Sequence, residues 1–156
     1  MILLLLSLGL AHAADPPCRP SLVSVLAHLE PPIQAEQIDA TTYVLSLPES
    51  VLVYRVDGET LVIESARTEH GAQLQGLNSR LFREMLDRHP SANVIESTLM
   101  DTNLAIYREA ERRNPGAPCA TLVLSTPAAR VRLRAGFRTV TECVATPLYI
   151  LFRMAL

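Results

Sequence analysis

Gln73-Leu74-Gln75-Gly76-Leu77-Asn78-Ser79-Arg80-Leu81-Phe82 is the stretch on which the reading of this chain turns. It follows a strand-like apolar run and opens an amphipathic helix. Leu74, Leu77, Leu81 and Met85 recur at helical spacing, with Phe82 and Leu86 on the same face, until Pro90 stops the pattern. A glycine turn feeding a helix N-terminus suits an anion. The first amides of a helix lack intrahelical acceptors, and the helix dipole favours negative charge beside them. The segment from Gln73 through Leu74, Gln75, Gly76, Leu77 and Asn78 to Ser79 is therefore the candidate phosphate-binding loop.

Upstream of this loop the period is two. Thr41 to Leu47 alternates and is β-branched, and Ser50 to Val56 and Thr60 to Ala66 are apolar runs separated by Asp57-Gly58, a strong hairpin signal. Residues 41 to 66 thus read as an antiparallel meander. Downstream, Asn93 to Thr98 reads as a short strand. Asp101 to Arg113 reads as a helix capped by Asp101 or Thr102. Ala120 to Leu124 fits strand or helix. Thr126-Pro127 starts a further helix through Ala135, with Thr126 as N-cap and Gly136 ending it. Phe137 to Cys143 and Pro147 to Phe152 read as closing strands. The order β-β-β-α-β-α-(α)-β-β defines an α+β domain over residues 41–156, a mostly antiparallel sheet with helices packed across it.

Residues ahead of this domain differ in character. Ala14 to Pro32 carries five prolines around a short helical segment, Ser21 to Leu29, so residues 14–40 read as a proline-rich arm. Met1 to Ala13 reads as a secretory signal: Ile2 to Leu10 is apolar, and Ala11-His12-Ala13 fits a small-x-small cleavage site. That run is too short for a stable membrane span. A mis-set start codon is the alternative. In an exported chain, periplasmic or secreted, Cys18, Cys119 and Cys143 would give one disulfide and one leftover thiol, with Cys119–Cys143 the expected pair; three buried thiols are the other reading.

Composition bounds the chemistry. With 156 residues, 49% apolar and 19% charged, the chain can bury a real core. All 14 basic residues are Arg, which removes lysine Schiff-base and Walker-type chemistry. From Ala14 to Ala66 two Arg face eight acids; from Arg67 to Leu156 twelve Arg face eight acids. The basic half suits a phosphate-bearing small ligand but is too weak and mixed for nucleic acid; solvated helix faces would account for it as well. His28, His70 and His89 lack metal-ligand spacing and read as surface or capping residues, although His70 abuts the candidate loop. The cysteines form no C-x-x-C, and no G-x-S-x-G is present.

Gln73 and Gly76 make the loop resemble the acetyl-CoA pyrophosphate loop of GNAT-type acetyltransferases, Gln/Arg-x-x-Gly-x-Gly/Ala, with Asn78 standing where the family has Gly or Ala. The likeness covers roughly Ser50 to Phe152. It implies a GNAT-like fold in which the hairpin supplies the third and fourth strands, Leu61 to Ala66 pairs with the pantetheine arm, and Gln73 to Ser79 holds the pyrophosphate. It implies acetyl-CoA as cofactor and an amine-bearing small molecule or protein as acceptor, attacked directly without a covalent enzyme intermediate.

A second family element, Asn and Ala followed by Tyr and then Gly-Phe, is split here. Asn103, Ala105 and Tyr107 follow the Asn93 strand at compressed spacing, while Gly136-Phe137 lies far downstream and, read backwards, puts Ser125 at the Asn position and Arg132 at the Tyr position. Residues 108 to 124 would then be an insertion. The resemblance makes Tyr107 the candidate general acid for the departing thiolate; a half-buried core tyrosine is the plainer reading. Glu64 is the candidate base for the acceptor's proton, with a solvated strand face as its plain alternative. Three functions follow as expectations: an acyltransferase, a catalytically silent exported binding protein, or a secreted effector that meets acetyl-CoA inside another cell.

Overall fold

The computed structural model describes residues 30–72 and 76–156. The signal segment Met1 to Ala13, the Ser21 to Leu29 helix, Cys18, and Gln73, Leu74 and Gln75 lie outside the described residues. Seven strands form one sheet: β1 (Gln34–Gln37), β2 (Thr42–Leu47), β3 (Ser50–Asp57), β4 (Thr60–Thr68), β5 (Val94–Leu99), β6 (Thr139–Ala145) and β7 (Ile150–Ala155), in spatial order β1-β2-β3-β4-β5-β7-β6. The expected hairpin forms with Asp57 opposite Thr60, and the only positive φ in its two-residue turn, 61°, falls on Gly58, the pattern of a II′ turn.

Every neighbouring pair is antiparallel except β4 and β5, which run parallel. A parallel pair needs a crossover, and α1 (Leu77–Arg88) supplies it. The sheet begins earlier than residue 41. Gln34–Gln37 pairs with β2, Gln34 opposite Ser46, although all four β1 residues are exposed and carry no apolar alternation. The proline-rich arm therefore gives way to sheet before residue 40.

Three further helices follow: α2 (Asp101–Arg113), α3 (Cys119–Val123) and α4 (Pro127–Arg134). The ambiguous Ala120 to Leu124 stretch is thus helical. Thr126 caps α4 as expected, its Oγ1 accepting from the Ala129 amide at 3.3 Å, and Gly136 follows the helix at φ 102°. The cap of α2 differs from expectation. Met100 is its N-cap and makes no side-chain cap bond, and Asp101 sits in the first turn at φ 48°. A short carboxylate side chain tolerates that left-handed geometry better than most.

One face of the sheet is apolar. Leu45, Leu52, Leu61, Ile95, Phe152 and Met154 are at most 1% exposed and join Leu81, Phe82 and Met85 of α1 and Tyr107 of α2 in one cluster. The other face carries charge: Arg153 on β7 pairs with Glu96 on β5 and Glu142 on β6, and Arg55 on β3 pairs with Glu64 and Asp57. Cys119 and Cys143 form the expected disulfide, joining α3 to β6.

His89 ends α1 and belongs to an aromatic trio. Its ring meets Tyr43 and Tyr54 edge-on, and its Nε2 lies 3.1 Å from the Tyr54 hydroxyl. Burial pushes Tyr54 up to about 12, so the phenol keeps its proton and can donate to a neutral imidazole. Burial, helped by Arg88, holds His89 below its ordinary value. The unfolded chain then binds the proton first as pH falls. Stability is fully present above the unfolded histidine pKa of about 6.5 and declines below it, toward the lower folded value. Urea unfolding at about pH 7.5 and 5 should show a smaller acid loss for His89→Gln than for the wild type. Equal losses would mean the trio contributes nothing to the pH dependence.

Candidate active site

The site is a slot where β4 and β5 part. Their parallel pairing runs from Thr60 opposite Val94 to Ile63 opposite Ser97 and stops there, although β4 continues to Thr68 and β5 to Leu99. The cause lies in β4. Tyr54 faces Ile63 and Val53 faces Ser65, which leaves Glu64 as an extra residue, a β-bulge. A bulge bends its strand and interrupts the ladder. Beyond Ile63, β4 has a paired neighbour on the β3 side alone. Among the described residues none pairs with the β5-facing backbone of β4 there, an edge that an extended ligand can join.

The N-terminus of α1 supplies the second element. Gly76 is its N-cap at φ 73°, a left-handed geometry that glycine adopts at no steric cost. Among the described residues no side chain caps the helix, and no acid lies in its first turn. Among the described residues nothing lies within 4 Å of where a Gly76 side chain would start. Asn78 lies inside the first helical turn and not in the turn that precedes it. The side chain that departs from the family pattern thus takes no strained backbone position. Leu77 and Ser79 share that turn; Gln73, Leu74 and Gln75 lie outside the described residues. From Ser79 a cavity of about 330 Å³ runs between α1 and α4, with Phe82 and Val131 on its walls and two cations, Arg83 and Arg134, against one carboxylate, Asp87, in its lining. The first-turn amides of α1 and a net positive, partly apolar lining fit a phosphate-bearing, partly apolar group.

Glu64 and Tyr107 are not brought together. Glu64 sits at the bulge on the charged face, 44% exposed, its Oε1 3.7 Å from Arg55 Nε. It can receive a proton from a group entering on that side. Tyr107 is 1% exposed in the core, under the Arg108 guanidinium at 5.6 Å. Burial, with Glu111 adding to it, raises its phenol above the ordinary value. Among the described residues no hydrogen bond joins it to the slot. Asn103 is also engaged elsewhere. Its Oδ1 accepts from the Ala128 amide at 3.1 Å and holds the first turn of α4.

The residues that sequence reading left without a role are Ser97 and Arg132. Ser97 is 3% exposed at the slot's apex, and Arg132, 5% exposed, donates to its Oγ and to the Ala128 carbonyl. The guanidinium lies 5.5 Å from the Phe82 ring centroid and 5.2 Å from that of Phe152. Arg132 occupies the position that the Gly136-Phe137 pair aligns with the family tyrosine, the one signal in the sequence that pointed to it.

No protein-family model and no curated protein sequence matches the chain. Solved structures do. An aminoglycoside 6′-N-acetyltransferase complexed with coenzyme A superposes with a TM-score of 0.50 at 10% identity, over 76% of this chain and 74% of that one. An acetyltransferase from Thermus thermophilus gives 0.47 at 14% identity, over 76% and 67%. The ribosomal-protein-S18-alanine N-acetyltransferase of Escherichia coli gives 0.43 at 12% identity, over 90% and 79%. The chain has a divergent GNAT-like fold: α+β, with a mostly antiparallel sheet and helices packed across it.

Proposed function

We propose that this protein is an acyltransferase that takes acetyl-CoA as donor and an amine-bearing small molecule or protein as acceptor. The observation that carries the reading is the slot between β4 and β5, opened by the Glu64 bulge beside the N-terminus of α1. When bound, acetyl-CoA would supply an activated acyl thioester. The amides of Leu77, Asn78 and Ser79, with the preceding Gln73, Leu74, Gln75 and Gly76, would hold its pyrophosphate. The β5-facing edge of β4 would hold its extended arm, and Arg83 and Arg134 would meet its remaining negative charge. Glu64, on the opposite face, would take the proton of the acceptor amine, directly or through water. The acceptor therefore enters from the Arg55–Glu64 side.

The Cys119–Cys143 disulfide supports an exported location, since such bonds persist in oxidising compartments. The burial of Tyr107 favours a second reading, a catalytically silent exported protein that binds acyl-CoA or a partner. Turnover of acetyl-CoA with a panel of amines separates the two.

Calorimetric titration of the full chain with acetyl-CoA tests binding itself. Saturable binding is expected, and ligand at about a hundredfold over its dissociation constant should stabilise the fold by about 2.7 kcal/mol. Gly76→Arg should remove binding, because a bulky side chain then fills the space before the helix. Left-handed strain should cost that variant about 1–2 kcal/mol of stability. Unchanged affinity in Gly76→Arg would sink the phosphate-loop assignment, and no binding at millimolar ligand would sink the acyltransferase reading.

A further inference from the structure

Arg132 is a buried cation without a counter-charge among the described residues. Among the described residues no carboxylate pairs with it, and its Nε is buried with no hydrogen-bond partner. An unneutralised charge in such a place is costly, and burial pulls the group down to about 9. Packing alone does not call for it, since an apolar residue of similar length would fill the space between Phe82 and Phe152 without that cost. The guanidinium is anchored so that one arm reaches Ser97, the last β5 residue paired to β4. A serine hydroxyl has one proton to donate and two acceptor positions. Arg132 occupies an acceptor position, and no described residue accepts from the Ser97 hydroxyl.

We infer that Ser97 and Arg132 form an anion seat at the apex of the slot, with the Ser97 hydroxyl as donor and Arg132 as the positioning cation, and that its ligand is the sulfur of a thioester as negative charge develops on it. The inference rests on the acyl-CoA reading above. In the transfer the acceptor nitrogen bonds to the acyl carbon, the carbon–sulfur bond breaks with its electron pair left on sulfur, and the nitrogen's proton passes to Glu64 or water. Charge thus appears on sulfur, where Ser97 donates a hydrogen bond strengthened by the guanidinium behind it. Tyr107, which no described hydrogen bond joins to the slot, is not needed for this step. The pair stabilises the thiolate and does not protonate it; the thiol proton comes from solvent after release.

The test needs no acceptor and no turnover. Coenzyme A bound to the full chain is titrated with base, and thiolate is read by its ultraviolet absorbance. In the wild type the bound thiol should ionise at least about one pH unit below the free thiol, a tenfold change in its ionisation constant. Ser97→Ala should return it toward the free value while leaving the affinity for desulfo-coenzyme A unchanged. Arg132→Met should do the same if it folds, which near-ultraviolet circular dichroism reports; Ser97→Ala carries the test if it does not. Binding with the same thiol ionisation in wild type and Ser97→Ala overturns this inference alone. Calorimetry that shows no coenzyme A binding overturns it together with the reading on which it rests, and the two failures are seen in different measurements.

Discussion

Phe152→Ala should cost about 3–5 kcal/mol of folding stability, the largest loss expected from any single substitution considered for this chain. Phe152 is fully buried in β7, opposite Ser97 on one side and Cys143 on the other. Truncation removes ring contacts on the sheet and leaves a cavity that the paired neighbouring strands cannot collapse to fill. It also removes one of the two rings beside Arg132, so the buried cation loses favourable surroundings. Calorimetric melting should show a midpoint lower by about 10 °C or more. A drop of only a few degrees would mean that the space beneath α4 is loosely packed. Phe152→Leu, which keeps most of the volume, should recover the greater part of the loss.

The second large effect concerns the Cys119–Cys143 bond. Replacing both cysteines by serine should cost about 3 kcal/mol, because the bond ties positions 24 apart in sequence and its removal returns conformational freedom to the unfolded chain. Urea titration measures this directly, and wild-type protein with and without reductant gives the same comparison without mutation. The loss should appear chiefly as a lower midpoint. A midpoint unchanged by reduction would mean that α3 and β6 hold together by packing alone.

Much of the fold can be read from local chemistry. The hairpin at Asp57-Gly58, the limits of α2, and the Thr126 cap of α4 follow from turn residues, periodicity and a proline at the first helical position. What escapes is held by partners distant in sequence. β1 is Gln34-Ala35-Glu36-Gln37, with no apolar alternation, and is strand only because β2 offers it a free edge. The Glu64 bulge leaves the alternation of Leu61, Ile63 and their neighbours intact up to the slip, so period alone does not show it. The candidate site divides the same way. The glycine turn ahead of α1 is visible because backbone geometry demands glycine. Arg132 stands among Arg130 and Arg134 and looks like any solvated helix residue, and its burial is decided by Ser97, Phe82 and Phe152. Tyr107 stands in a motif whose spacing is compressed, and the fold gives that side chain to the core.

The two margins of the sheet are unequally anchored. The β6 margin is joined covalently to α3, whereas among the described residues β1 buries none of its side chains and is attached through backbone hydrogen bonds to β2. Opening β1 therefore exposes little apolar surface and has a small free energy, well below that of global unfolding. Amide hydrogen exchange should run fastest at Gln34–Gln37 and slow progressively across the sheet toward β5 and β7. Fluctuations of the native state would thus begin at the margin farther from the slot and leave its walls in place.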